Sequence, residues 1–196
     1  MILPIVAYGD PVLRKVSDPI EADYPELKTL IQNMWETMYG ANGVGLAAPQ
    51  VGRPIRLFLI DTSPFAEDED FSPEEREQLQ GFKKVFINAE VVEETGTNWA
   101  FNEGCLSIPE IREDVSRKDT ITLSYVDERF KAHTETFSGL LARVIQHEFD
   151  HIEGVLFTDH LSSLKRRLLK GRLTNISKGN IDVDYKMKFP ALKKAR

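Results

Sequence analysis

The stretch HEFDHIEGVLF, residues 147–157, constrains this chain more than any other. It contains an HExxH pattern, and two histidines four residues apart project from one face of a helix. Glu148 lies beside them, where a general base for metal-bound water belongs. Leu140, Val144, His147 and His151 fall on one stripe, so both imidazoles continue an apolar face and point inward. SGLLARVIQHEFDHIEG is therefore predicted to be a helix with Ser138 as its N-cap and Gly154 as its stop.

A catalytic metal of this kind needs three protein ligands and one open position. Downstream the chain does not offer the third. Phe157 stands where an HExxHxxGxxH pattern has its last histidine, and no glutamate follows Glu153. Asp159, His160, Asp182 and Asp184 occupy no recognisable ligand context. The third ligand is expected upstream, where NEGCLSIPEIR (102–112) holds the only cysteine, Cys105. Cysteine with two histidines suits tetrahedral Zn²⁺ or Fe²⁺ with a position left for water. Gly104 would let the backbone come close to the ion. Two other readings stay open. A lone cysteine is often a small buried hydrophobe, and a Cys/His pair can be a nucleophilic dyad. The dyad would leave the second histidine and Glu148 without a purpose.

The 196 residues fit one domain, 41% hydrophobic and 29% charged. The N-terminus MILPIVAYGDPVLR reads as no signal peptide, and no stretch approaches the ~20 apolar residues of a membrane helix. A single cysteine suits a reducing compartment, so a cytoplasmic protein without membrane attachment is expected. The net charge of −6 belongs to one segment, FAEDEDFSPEEREQLQ (65–80), with seven acidic residues against one arginine. That segment is expected to be a surface insertion without a part in the chemistry, in which Ser72 and Pro73 could open a short helix. From Leu161 onward, eleven Lys or Arg face two Asp. The basic helix SSLKRRLLKGRL and its tail (159–196) therefore invite contact with ribosomal RNA, against the plainer reading of a solvated face.

Elsewhere, YPELKTLIQNMWETMYGANG places Leu27, Leu30, Ile31, Met34, Trp35 and Met38 on one helical stripe after Pro25, ending at Gly40. That stripe is core. GVGLAAPQVG (43–52) is too rich in glycine for a helix and reads as a loop into the strand RLFLID. KVFINAEVVEE reads as a strand, and TITLSYVDERFKAHTETF as a hairpin turning near Asp127, Glu128 and Arg129. NIDVDYKMKF alternates, with Ile181, Val183, Tyr185, Met187 and Phe189 on one side, and is predicted to be a strand. The expected class is α+β, with antiparallel or mixed sheets packed around a central HExxH metal-binding helix. His133 and His160 are assigned no role.

HExxH is a short pattern, but GVGLAAPQ, EGCLS and HEFDH in this order are specific together. With them the chain resembles the peptide deformylases, metal hydrolases that remove the formyl group from nascent chains. The motifs GxGLAAxQ, EGCLS and HExDH stand at Gly43–Gln50, Glu103–Ser107 and His147–His151, and the resemblance runs from Pro4 through Phe157. It implies one divalent ion, ferrous iron in the cell or zinc, on Cys105, His147 and His151. It implies Glu148 as general acid and base acting on metal-bound water, and Gln50 with the Leu106 N–H as oxyanion donors. It implies a formyl-methionyl peptide bound along Gly43, Val44 and Gly45, with Glu103 and Arg112 positioning loop and peptide. Two enzyme-level and fold-level rivals remain: another zinc peptidase, and a related fold with a closed structural metal or none.

Overall fold

A computed structural model of the chain describes residues 1–69 and 71–190. Asp70 of the acidic segment and residues 191–196 of the basic tail lie outside the described residues. Strand β3 (Leu57–Asp61) explains the layering, because it is buried along its whole length. Successive side chains of a strand point to opposite faces. Leu57 and Leu59 therefore pack with helix α1 (Leu27–Gly40), while Phe58 and Ile60 pack with helix α3 (Gly139–Ile152). A strand covered on both sides reads as a continuous apolar run, and LFLI is one.

Around β3 lies a five-stranded antiparallel sheet in the order β2-β3-β4-β5-β6, with β2 at Gly45–Ala47, β4 at Lys83–Cys105, β5 at Ile108–Val126 and β6 at Ala132–Ser138. A separate parallel pair joins β1 (Ile5–Val6) to β7 (Met187–Lys188). A third apolar cluster gathers Leu13, Ile108, Ile111, Leu156 and Phe157 under helix α4 (Ser163–Ser177), which contributes Leu169, Leu173 and Ile176. The antiparallel sheet with helices on it agrees with the α+β expectation.

Several local expectations are corrected. The glycine-rich 43–52 stretch is no plain loop: Gly45, Leu46 and Ala47 pair with Ile60, Leu59 and Phe58, and Ala48–Val51 form a 3-10 turn. Ladder hydrogen bonds to a buried strand override the low intrinsic propensity of glycine. The strand expected at KVFINAEVVEE runs on for 23 residues to Cys105, with register shifts along the β4–β5 pairing. NEGCLSIPEIR is therefore the tip of a long hairpin, turning at Leu106 and Ser107. NIDVDYKMKF keeps its alternation of exposure from Ile181 to Phe189, but only Met187 and Lys188 form a strand. The pairing with β1 is limited to Ile5 opposite Met187 and Val6 opposite Lys188.

Helix α1 starts at Leu27, two residues past Pro25, behind Glu26 in the left-handed region at φ 56°. Ser138 precedes α3 in extended backbone, yet its side chain caps nothing. Gly154 does mark the stop, at φ +72°, where a Cβ would lie 2.7 Å from the Arg14 carbonyl oxygen. The 127–129 turn forms as expected. In the acidic segment, Ser72 and Glu75 cap helix α2 (Pro73–Leu79) reciprocally, so that stretch is helix rather than bare loop.

Candidate active site and metal centre

The hairpin tip delivers Cys105 to the inner face of α3. Its Sγ lies 3.3 Å from His151 Nε2, and the donor atoms of Cys105, His147 and His151 all lie within 4.8 Å of one another. Among the described residues this is the one group of three such side chains able to hold a metal ion. The Cys105–His151 separation suits a tetrahedral ion, and the donor set suits it chemically. Bonds of about 2.0–2.3 Å in a tetrahedron separate ligand atoms by about 3.3–3.8 Å, and a histidine ligand donates its other ring N–H to a carboxylate. His147 does so: its Nδ1–H donates to Glu103 Oε2 at 3.0 Å, which leaves Nε2 for an ion.

Glu103 lies behind the histidine, not on the surface. It is 4% exposed, and its oxygens accept from Arg117 Nε at 2.7 Å, Arg117 Nη2 at 3.0 Å and Arg143 Nη1 at 2.8 Å. Burial alone would raise this carboxyl, but the hydrogen bonds from His147 and Arg117 hold it far below the usual range. It stays ionised. Arg143 has no other carboxylate among the described residues, and breaking a buried ion pair by removing one partner costs about 3–5 kcal/mol. Arg117 also pairs with Asp150 at 2.8 Å, and His160 Nε2–H donates to the same carboxylate at 2.7 Å. Sequence reasoning missed Arg117, Arg143 and Asp150 and assigned His160 nothing. The one available signal was Arg143, a charge within the apolar face of α3.

Burial works against the Cys105 thiolate, yet the charge of His151 and hydrogen bonds from both histidines hold the thiol at about 5. A thiolate is the metal-binding form of cysteine. Burial pushes the neighbouring Glu148 carboxyl up to about 7, against the opposing pull of the two histidines. Its Oε2 is buried without a hydrogen-bond partner. Strand β2 passes so close that a Cβ on Gly45 would lie 2.4 Å from Glu148 Oε1. Gly45 is glycine because that carboxylate must be approached.

Gln50 completes the group. Its Oε1 accepts the Ala47 N–H at 2.8 Å, which turns Nε2 toward Cys105 Sγ at 3.5 Å and Ser107 Oγ at 3.4 Å. These residues open into a cavity of about 560 Å³. Gly43, Val44, Gly45, Leu106, Glu103 and Arg112 all line it with Cys105, His147 and Glu148, while the buried His151 joins the group through its contact with Cys105. Arg112 sits at its exposed rim, bound to the Asn102 side chain and carbonyl. Two segments outside the motifs also reach it: Phe65, from the acidic segment expected to take no part, and Val183, Asp184 and Tyr185 from the C-terminal stretch.

The family model for polypeptide deformylase matches residues 2–167. The chain belongs to the polypeptide deformylase family. It is an enzyme of that class. A peptide deformylase of Christiangramia forsetii is 65% identical over 196 residues, covering 100% of both chains. One of Flavobacterium johnsoniae is 63% identical over the same span. Among solved structures, a peptide deformylase from Legionella pneumophila is 38% identical with a TM-score of 0.77, covering 92% of this chain and 98% of that one.

Proposed function

We propose that the chain hydrolyses the N-terminal formamide of formyl-methionyl peptides, releasing formate and a free amino terminus. The observation that carries this reading is the cluster of Cys105, His147 and His151, with Cys105 and His147 on one cavity wall beside Glu148 and Gln50. Cys105 Sγ and the two imidazoles would hold one divalent ion, ferrous iron or zinc, with α3 as the metal-binding helix. When bound, such an ion supplies Lewis acidity and lowers the pKa of a water from 15.7 to roughly 7.

The protein's own groups do the rest. Glu148, a carboxyl at about 7, takes a proton from the attacking water and returns it to the leaving amine. Gln50 Nε2 and the Leu106 N–H donate to the oxygen of the formyl group as charge collects on it, and one such donor is worth roughly 3–4 kcal/mol of the barrier. Gly43, Val44 and Gly45 offer a backbone edge to an extended peptide. Arg112 lies at the rim for its downstream end. Glu103 fixes the ring of His147, one step removed from the peptide. The whole chain acts as a single catalytic domain, and its substrates place it in the cytoplasm. No described helix is long and apolar enough to cross a membrane.

The deciding experiment is formate release from a formyl-methionyl tripeptide, using protein prepared anaerobically with ferrous iron. Rapid metal-dependent turnover is expected. No turnover from protein with one ion bound would overturn the assignment and favour a closed structural metal.

A further inference from the structure

The three motifs do not account for Tyr185. It belongs to the stretch after α4, beyond the 2–167 span of the family match. Yet its hydroxyl donates to the Leu106 carbonyl oxygen at 2.8 Å, across 79 positions of sequence. Its neighbours Val183 and Asp184 form part of the cavity wall.

The flanks of Tyr185 are fixed. On its C-terminal side, the Ile5 N–H donates to the Lys186 carbonyl at 2.8 Å and the Ala7 N–H to the Lys188 carbonyl at 2.9 Å. Ile181, Met187 and Phe189 pack against the apolar cluster under α4. The hydroxyl is therefore presented by a braced segment. What it reaches is the two-residue turn between Cys105 and Ile108. The same turn is held by the Tyr8 N–H on the Ser107 carbonyl at 2.8 Å, and by Gln50 Nε2 on Ser107 Oγ at 3.4 Å.

We propose that Tyr185 is a positioning residue for this reaction: its hydroxyl sets the tilt of the Leu106–Ser107 peptide and thereby aims the Leu106 N–H at the substrate oxygen. Backbone geometry makes the link. Leu106 N–H and Leu106 C=O belong to adjacent peptide planes that share one α-carbon, so fixing the carbonyl restricts the rotation that aims the amide. Preorganised donors serve a developing charge only when they need no reorientation at the moment of reaction. The tail thus completes the oxyanion-binding turn from outside the motifs. This inference rests on the proposed deformylase reading.

Tyr185→Phe keeps the ring and its packing while removing the hydroxyl. One lost hydrogen bond of ordinary strength is worth about threefold to tenfold in a rate. The variant, loaded like the parent, is expected to bind metal at unchanged stoichiometry, hold KM within about twofold and lose kcat by that factor. Val183→Ala, a change in the cavity wall, is expected to raise KM and spare kcat. Amide hydrogen exchange at Leu106 and Ser107, read in the same proteins without substrate, is expected to speed up in Tyr185→Phe alone. Unchanged exchange and unchanged kcat would overturn the positioning role while leaving the deformylase reading intact. An inactive parent would remove the deformylase reading, and exchange at the turn would still decide whether Tyr185 restrains it.

Discussion

His147 Nδ1 lies 3.0 Å from Glu103 Oε2, and that carboxylate is held in place by two buried arginines, Arg117 and Arg143. A ring fixed from behind presents its other nitrogen in one orientation. Glu103→Gln removes the charge and keeps the shape. Metal affinity is expected to fall about 10- to 100-fold, the usual effect of losing such a supporting carboxylate. Stability should fall with it, by up to about 3–5 kcal/mol, because Arg143 loses its carboxylate while Arg117 keeps Asp150. Metal titration and chemical denaturation read the two effects separately; unchanged affinity would show that Glu103 serves the arginines alone.

Glu148 donates to nothing and accepts from nothing at Oε2, which is what a proton carrier waiting for substrate requires. Glu148→Gln should retain metal at full stoichiometry and lose about 10²- to 10⁴-fold in kcat. Comparable turnover in the variant would take the proton transfer away from this residue.

Gly45→Ala probes the same carboxylate from the other side. A methyl group there meets Glu148 Oε1, Cδ and Cγ at 2.4, 2.7 and 2.8 Å, too close for any side chain to remain where it is. Since a displacement of about 1 Å can cost about 100-fold in rate, kcat/KM is expected to drop by that order with circular dichroism unchanged. An active Gly45→Ala enzyme would show that Glu148 tolerates displacement.

How much of this was legible in the sequence depends on how far apart the cooperating residues lie. His147 and His151 sit one helical turn apart, and local periodicity alone puts them on one face with Leu140 and Val144, with Glu148 beside them. Cys105 entered the ligand set firmly only through a resemblance, because nothing local says that a hairpin tip will fold back on α3. The length of β4 was hidden for a physical reason: Glu90–Asn98 is exposed on both faces, so no alternation marks it. Arg117 and Arg143 read as ordinary charges, since their partner Glu103 is 14 and 40 positions away. Tyr185 showed in the alternation of NIDVDYKMKF, but its hydrogen bond to Leu106 did not. Phe65 sat in a run of acids whose charge drew attention from its one useful ring.

Helix α4 carries the test of ribosome contact. Arg166, Arg167 and Lys170 face outward, and Leu164 and Leu168 beside them are 54% and 72% exposed. We expect the protein to pellet with ribosomes at low salt and to be released as salt rises, since each phosphate neutralised by a lysine or arginine steepens the salt dependence of binding. Arg166→Glu with Arg167→Glu should abolish pelleting and leave formate release on a free tripeptide unchanged. Failure of the parent protein to pellet at low salt would reduce α4 to a solvated face.

The hairpin turn between β5 and β6 supplies a test by pH that leaves the metal site alone. Asp127 Oδ2 accepts from His133 Nε2 at 2.9 Å, while Oδ1 accepts the N–H groups of Arg129 at 2.8 Å and Lys131 at 3.0 Å. The hydrogen bond from His133, joined by the Lys131 and Arg129 amides, lowers this carboxyl from 3.8 to about 2. A carboxyl whose folded pKa is depressed contributes stability that is fully present above its unfolded value and is lost as pH falls through the folded one. The window therefore runs from about pH 4 down to about pH 2. Glu135 and Lys84 also face this cluster, with His133 Nδ1 3.7 Å from Glu135 Oε1, so the comparison must isolate one charge. Asp127→Asn does that, because the amide oxygen can still accept from the two backbone groups. The parent is expected to melt higher than Asp127→Asn at pH 6, by a gap that holds to about pH 4 and narrows at pH 3. A gap of the same size at pH 6 and pH 3 would mean that the charge of Asp127 adds nothing to the turn beyond its shape.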